Sequence, residues 1–209
     1  MTKISFVYFD VGGVLIKDFS VTNKWEEMLL DLGIKENNFD KFNGIYDRHA
    51  RQINTHLEID KLLPQLSKEF GIEFPKNYSW LDDFIARFEV NPHITPIVKQ
   101  LNMSYKLGLL TNMWPGMLDK IFAADLMPPA TWQVIVDSTI VDMQKPDREI
   151  YEYAQDKAGV PASEILFIDN TPKHLIEPKQ LGWQTFFYDS RNYAKSTHEL
   201  ANFLGLSGE

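Results

Sequence analysis

The chain has 209 residues, of which 44% are hydrophobic and 13% aromatic, so it can bury a substantial core and is not a disordered protein. It carries 29 acidic and 21 basic side chains, a net charge of −8, without a basic run, which disfavours binding to nucleic acid or to an anionic membrane. The lack of cysteine excludes disulfides, thiolate catalysis and cysteine-ligated zinc. Neither a signal peptide nor an 18-residue apolar stretch is recognisable, so we expect a soluble, cytoplasmic protein.

Five short apolar runs, each followed by polar residues, predict the strands of a parallel sheet. The first, Ile4–Phe9, is rich in aromatic and β-branched residues, which is typical of a strand buried on both faces. Segments able to form helices separate the later runs, and this alternation predicts an α/β fold with a Rossmann-like parallel sheet. The other strands are predicted at Lys106–Leu110, Trp132–Val136, Ile165–Ile168 and Gln184–Tyr188, and the helices at Pro115–Ala124, Pro146–Ala158 and Pro172–Leu181.

The segment between the first two predicted strands has a different pattern. Apolar residues recur with a helical period over Trp25–Leu32 and over Ile59–Phe70, where Gly71 ends the second stretch. We therefore predict an α-helical cap over residues 17–90, inserted into a core made of residues 1–16 and 91–209.

Polar residues stand at the ends of three of the predicted strands. Asp10 follows the first strand, Thr111 the second and Asp169 the fourth. In open α/β sheets the ligand site lies beyond the carboxyl ends of the strands. These three side chains are therefore expected to share one site.

The strand ends carry four short motifs that resemble those of the haloacid dehalogenase-like hydrolases. In the family's order they are FDVGGVL at 9–15, LLTN at 109–112, QKPD at 144–147 and ILFIDN at 165–170. The resemblance covers about 140 residues of the core and implies a Rossmann-like core with a helical cap of the C1 type, as in subfamily IA. It also implies that Asp10 is the nucleophile, Thr111 a phosphate-binding hydroxyl, Lys145 the motif lysine and Asp169 the metal-binding acid.

These residue types suit phosphoryl transfer. An Asp10 nucleophile would form an aspartyl phosphate. Asp10, Asp169 and a backbone carbonyl at Gly12 offer the hard oxygen ligands that Mg²⁺ prefers, and Lys145 adds a compact positive charge. The resemblance thus implies a Mg²⁺-dependent phosphatase.

Donors for the phosphoryl oxygens are expected on two loops. The glycine turn at Gly12 and Gly13 leaves backbone N–H groups free to approach phosphate closely. The Thr111 hydroxyl and the Asn112 backbone N–H would donate from the neighbouring strand end.

The chain departs from the family pattern at four positions. Gly12 stands where most phosphatases of the family carry a second Asp, a general acid and base whose loss costs roughly 10²- to 10⁴-fold. A DxGxV subset, which includes glucose-1-phosphate phosphatase-like proteins, shares this departure, so sugar 1-phosphates and acyl phosphates with good leaving groups are candidate substrates. Asn170, His174 and Pro178 replace the usual second acid, Asn and small residue of the fourth motif; Asn170 could orient a metal-bound water, and His174 is either a surface histidine or a proton donor.

Two other functions stay open, together with the choice of substrate. The four departures are compatible with an inactive protein that binds a phosphorylated ligand or a protein partner, and the missing acid at Gly12 also suits a metal-independent dehalogenase. In the cap, Arg48 and Arg51 are candidates for substrate contacts, with Arg48 the preferred one. Lys17, Asp18 and Phe19 follow the first motif closely enough to line the entrance. A small phosphorylated substrate and a monomer or homodimer complete the expectations.

Overall fold

A computed structural model describes residues 3–206 of the chain. Its main sheet has five parallel strands, and the first strand along the chain lies at the centre, between the second and the fourth of them. This arrangement confirms the predicted α/β fold with a Rossmann-like parallel sheet. In chain order the strands are β1 (Phe6–Phe9), β4 (Lys106–Thr111), β5 (Trp132–Asp137), β6 (Ile165–Asp169) and β7 (Gln184–Phe187), and in space they run β5-β4-β1-β6-β7.

Both faces of the sheet are covered. Alternate side chains of β1 enter two separate apolar clusters, Val7 and Phe9 in one and Phe6 and Tyr8 in the other. All four are buried, which explains the nearly continuous apolar run in the sequence. No helix within residues 3–206 is long and apolar enough to cross a bilayer. The first cluster includes α5 (Ile94–Leu101), α6 (Met117–Ala123) and α10 (Tyr193–Phe203), and the second includes α8 (Arg148–Ala158).

The insertion after β1 is helical, as the periodicity predicts. It is bracketed by two strands of two residues, β2 (Ile16–Lys17) and β3 (Glu89–Val90), which pair antiparallel and were not predicted. The boundaries of core and cap stay a prediction, and residues 1–2 and 207–209 of the predicted core lie outside the described residues. The helices of the insertion are α1 (Lys24–Asp31), α2 (Phe39–Ile53), α3 (Leu63–Phe70) and α4 (Trp80–Ala86).

Three helices of the core differ from the sequence prediction, and the first of them, α6, begins at Met117 rather than at Pro115. The backbone of Asp147 is extended (ψ 137°), so α8 begins at Arg148 rather than at the preceding proline. The predicted helix from Pro172 is a 3-10 helix over Pro172–Leu175, followed by α9 (Ile176–Gln180). Pro178 is the third residue of α9, where a backbone N–H has no partner within the helix, so the proline removes no helical hydrogen bond.

Gly108 lets two aromatic rings pack against β4. A Cβ atom there would lie 2.6 Å from Cε1 of Tyr8 and 2.9 Å from Cε1 of Phe6. Gly108→Ala is therefore expected to lower the free energy of unfolding by about 1–3 kcal/mol, measured by urea denaturation. The control is Gly44→Ala in α2, where the nearest atom is Nη1 of Arg48 at 3.8 Å and alanine should add about 0.5–1 kcal/mol. Equal effects of the two substitutions would contradict this account.

Candidate active site

Four of the residues singled out in the sequence meet at the carboxyl edge of the sheet. Asp10 directly follows β1, while Thr111 and Asp169 end the strands on either side of it. The Thr111 hydroxyl donates to Oδ1 of Asp10 at 3.0 Å. Lys145 lies in the loop between α7 (Ser138–Val141) and α8, and its Nζ is 3.0 Å from Oδ1 of Asp10 and 2.6 Å from Oδ2 of Asp169.

Asp10, Lys145 and Asp169 form a buried group of charges, here called the carboxylate–lysine cluster. Lys145 is only 2% exposed, and burial opposes its charge, but the two carboxylates outweigh burial and raise its pKa above the ordinary value. Burial likewise disfavours the charge of Asp169, yet Lys145 and His174 together hold its pKa well below the usual range. Lys145 and Asp169 are therefore both charged in the folded protein.

The charge of Asp10 is the one that its neighbours compensate least within the cluster. Burial raises its pKa to about 7, against the attraction of Lys145, and repulsion from Asp169 adds to the rise. Its Oδ1 also accepts the backbone N–H of Val11 at 2.8 Å. Among residues 3–206 no donor is hydrogen bonded to Oδ2, so this oxygen is available to react or to bind a ligand.

His174 belongs to the site rather than to an exposed helix surface. Its side chain is 12% exposed, and Nδ1 is 3.2 Å from Oδ2 of Asp169. Burial lowers the pKa of His174, while the hydrogen bond to Asp169 opposes that shift. The other oxygen of Asp169 accepts the Thr171 backbone N–H at 2.7 Å, so both oxygens of this carboxylate are occupied.

The Asn112 side chain positions the backbone of Lys145. Its Nδ2 donates to the Lys145 carbonyl at 2.9 Å, and its Oδ1 accepts the Lys145 N–H at 2.8 Å. The sequence analysis considered only the backbone N–H of Asn112. It missed this contact because the two residues are 33 positions apart and no local pattern connects them.

The glycine turn is packed closely against the neighbouring loops. Gly13 has a positive φ of 72°, and a Cβ atom there would lie 2.0 Å from Nδ2 of Asn170. That nitrogen donates to the hydroxyls of Ser20 and Ser190, both at 3.0 Å, and Ser190 donates to the Gly13 carbonyl at 2.7 Å. Asn170 thus stabilises the turn through Ser20 and Ser190, and its role toward a metal-bound water stays a prediction.

A cavity of about 150 Å³ opens beside Gly12. Its lining includes Gly12 and the polar side chains of Asp18 and Asn112. The insertion contributes apolar wall residues such as Phe84 of α4, which stacks on Trp114 at 4.2 Å between ring centroids. The remaining lining residues are Ile16, Tyr46, Phe88, Met113, Met117 and Ile121.

Arg48 is not brought to this cavity. It is exposed on α2, two residues after Tyr46, and residues two apart point to different sides of a helix. Arg51 is also directed elsewhere, since its Nη1 forms an ion pair with Asp147 at 2.8 Å that ties α2 to the loop after Lys145.

Comparison with known families decides the identity of the fold and its class of chemistry. The sequence pattern of one family, described as haloacid dehalogenase-like hydrolase, matches residues 4–182, a range that contains the whole carboxylate–lysine cluster and the glycine turn. The chain is a haloacid dehalogenase-like hydrolase.

This hydrolase is similar to proteins with different printed activities. It is 25% identical to bifunctional epoxide hydrolase 2 of Sus scrofa over 95% of its own length, but it spans only 38% of that protein. A family enzyme from Bacteroides thetaiotaomicron has a similar structure, with a TM-score of 0.75 at 15% identity over 97% of this chain and 98% of that one. The same enzyme, bound to magnesium and inorganic phosphate, gives a TM-score of 0.71 at 18% identity over 90% and 96% of the two chains. An L-2-haloacid dehalogenase gives a TM-score of 0.63 at 21% identity, over 88% of this chain and 83% of that one.

The donor atoms of this haloacid dehalogenase-like hydrolase fit a divalent cation. One ligand atom each from Asp10, Asp169 and His174 lie within 4.8 Å of one another. Two of the three are carboxylate oxygens, and Oδ2 of Asp10 is not hydrogen bonded within residues 3–206. Hard oxygen donors of this kind suit Mg²⁺ with several positions left for water.

Proposed function

We propose that this hydrolase is a Mg²⁺-dependent phosphatase that acts on a small phosphorylated metabolite through an aspartyl phosphate on Asp10. The observation that carries the proposal is the Asp10 carboxylate, which has one unbonded oxygen and lies beside a buried lysine and a threonine hydroxyl. The family enzyme that binds magnesium and inorganic phosphate on the same fold supports this reaction class.

Asp10 takes part in both steps of the proposed reaction. Its Oδ2 attacks phosphorus, the bond from phosphorus to the leaving oxygen breaks, and an aspartyl phosphate forms. Water then attacks the phosphorus of this intermediate and regenerates the carboxylate. Because Lys145 holds Oδ1, the nucleophile has one orientation in both steps.

The remaining residues of the site would bind the phosphoryl group. Lys145, the Thr111 hydroxyl and the backbone N–H groups of Gly12, Gly13 and Asn112 can donate to its oxygens. Asn112 acts a second time by fixing the backbone of Lys145.

The metal site would use Asp10, Asp169 and the backbone carbonyl of Gly12. When bound there, Mg²⁺ supplies positive charge that offsets the repulsion between the carboxylate and an anionic phosphate ester. Nδ1 of His174 is hydrogen bonded to Oδ2 of Asp169. A hydrogen bond of this kind orients a metal-binding carboxylate.

The cavity favours a compact substrate with an apolar part. Its volume of about 150 Å³ and its wall of Phe84 and Trp114 leave room for a small organic group next to the phosphoryl site. Sugar 1-phosphates and acyl phosphates remain candidates because their leaving groups need little protonation. Arg48 was the preferred candidate for a contact with the substrate, and it does not line the cavity. The cavity therefore does not favour a substrate with a second anionic group.

Phosphate release by the purified protein tests this proposal. The panel contains sugar 1-phosphates, sugar 6-phosphates, acetyl phosphate and p-nitrophenyl phosphate, each with Mg²⁺ and with EDTA. Release that depends on Mg²⁺ is the expected result. Binding of phosphate without release from any ester would instead favour an inactive, ligand-binding protein.

Dehalogenation is the second candidate, because an L-2-haloacid dehalogenase shares the fold. Asp10 would then attack carbon and displace halide, without a metal. Halide release from L-2-chloropropionate in EDTA separates the two functions, since a phosphatase releases none.

Asp169→Ala is expected to raise the Mg²⁺ concentration needed for half-maximal activity by more than about tenfold, because it removes a carboxylate ligand. A Mg²⁺ titration of phosphate release measures the shift. The matched control is Asp189→Ala, since this half-buried carboxylate lies two residues beyond β7 and pairs with Arg191 at 2.6 Å. Identical titrations of Asp169→Ala and the wild-type protein would remove Asp169 from the metal site.

A further inference from the structure

The carboxyl group of Asp18 occupies the space next to Gly12 where a side chain at position 12 would stand. A Cβ atom built on Gly12 would lie 2.5 Å from Oδ2 of Asp18 and 3.3 Å from its Cγ. A side chain at position 12 and the Asp18 carboxyl therefore compete for the same volume.

Local hydrogen bonds hold Asp18 in this position. The Ser20 backbone N–H donates to Oδ1 at 2.8 Å, an arrangement that closes a tight turn on the carboxyl. The Ser20 hydroxyl in turn accepts Nδ2 of Asn170 at 3.0 Å, which connects this turn to the end of β6. With Oδ1 fixed by Ser20, Oδ2 is the oxygen that lies closest to Gly12.

We propose that Asp18 is a catalytic residue that takes the part of the acid absent from position 12, an inference that rests on the proposed phosphatase function. As Oδ2 of Asp10 bonds to phosphorus and the bond to the leaving alcohol breaks, the proton on Asp18 passes to the alcohol oxygen. The Asp18 carboxylate then takes a proton from the water that attacks the aspartyl phosphate. Both aspartates return to their starting states, and the products are alcohol and phosphate.

The position of Asp18 distinguishes it from His174, the other proton donor near the cluster. Asp18 lines the cavity together with Gly12 and Asn112, where the leaving group would lie, whereas His174 is not among the lining residues. Nδ1 of His174 is already directed to Asp169. A carboxyl six residues beyond Gly12 thus reaches the leaving-group side of the site.

The test compares two esters of similar size and different leaving groups. Benzyl phosphate has a poor leaving group that needs a proton, and p-nitrophenyl phosphate has a good one that does not. Asp18→Asn is expected to lower kcat/KM, which reports the steps up to departure of the leaving group, by roughly 10²- to 10⁴-fold for benzyl phosphate and by less than about tenfold for p-nitrophenyl phosphate. It should lower kcat for both esters, because both form the same aspartyl phosphate and its hydrolysis loses the Asp18 base. The asparagine has the same shape and can still accept the Ser20 N–H, and a thermal melt checks that the variant is folded.

A relocation experiment provides an independent arm. The Gly12→Asp variant alone should turn over benzyl phosphate more slowly than the wild-type protein, because the new Cβ would lie 2.5 Å from Oδ2 of Asp18. Combining Gly12→Asp with Asp18→Gly removes that contact and returns an acid to position 12. This double variant is expected to turn over benzyl phosphate at least about tenfold faster than Asp18→Gly alone.

The outcomes separate this inference from the function on which it rests. Equal losses of kcat/KM for the two esters, or none, would overturn the assignment of Asp18 while leaving a wild-type phosphatase intact. A double variant no faster than Asp18→Gly would contradict the idea that positions 12 and 18 serve one role. A wild-type protein that releases phosphate from no ester would overturn the phosphatase itself, and Asp18 with it.

Discussion

Asp10→Asn is expected to slow phosphate release by roughly 10⁴-fold or more, because an amide cannot form the aspartyl phosphate. The substitution keeps the shape of the side chain, and its oxygen can still accept from Thr111 and Lys145. Burial of the Asp10 charge costs free energy, as its raised pKa of about 7 indicates, and the neutral amide avoids that cost. The variant should therefore lose activity while melting at the same temperature as the wild-type protein or higher.

A buried aspartate at the end of another strand of the sheet provides the control for Asp10. Asp137 ends β5 and is 6% exposed, but its Oδ1 accepts from the backbone and hydroxyl of Thr139 and it lies outside the carboxylate–lysine cluster. Asp137→Asn keeps an acceptor for these bonds and should retain wild-type turnover within about threefold. Phosphate release by Asp10→Asn above a tenth of the wild-type rate would refute the assignment of Asp10 as the nucleophile.

The sequence was most informative where a strand ends in a polar residue. The carboxyl ends of parallel strands lie at the same edge of a sheet, so a parallel sheet is sufficient to bring Asp10, Thr111 and Asp169 to one edge. The strand pattern does not predict the location of Lys145, because this residue lies in a loop. Only the resemblance of its motif to the family indicated that it belongs at the site, and the ion pairs with both carboxylates are what the structure adds.

What the sequence could not show depends on how loops and the insertion fold back. Asp18 lies close to Gly12 because of the turn that follows β2. Strand β2 has only two residues, too few to show a periodic pattern in the sequence. The contribution of Phe84 to the cavity requires α4 to pack against Trp114, three residues beyond β4, and the exposure of Arg48 depends on the rotation of α2. Local composition determines none of these arrangements, since packing between distant segments sets them.

Lys145→Met is expected to destabilise the protein by about 3–5 kcal/mol and to abolish detectable phosphate release. Methionine fills the volume but leaves Asp10 and Asp169 buried beside each other without a positive charge, the costliest way to break a buried ion pair. Since Lys145 Nζ lies within 3.0 Å of both carboxylates, one substitution removes two ion pairs. Urea denaturation in EDTA measures the loss without any contribution from a bound metal.

A double-mutant cycle identifies the source of that destabilisation. If the uncompensated charge of Asp10 is responsible, Lys145→Met combined with Asp10→Asn should be more stable than Lys145→Met alone, with a coupling energy of about 0.5–3 kcal/mol. Lys120→Met is the control, because its ion pair with Asp82 at 2.7 Å is exposed and such pairs contribute about 0–1 kcal/mol. Additive effects in the cycle would mean that the charge of Asp10 is not the source, and would leave the lost ion pair between Lys145 and Asp169 at 2.6 Å as the cause.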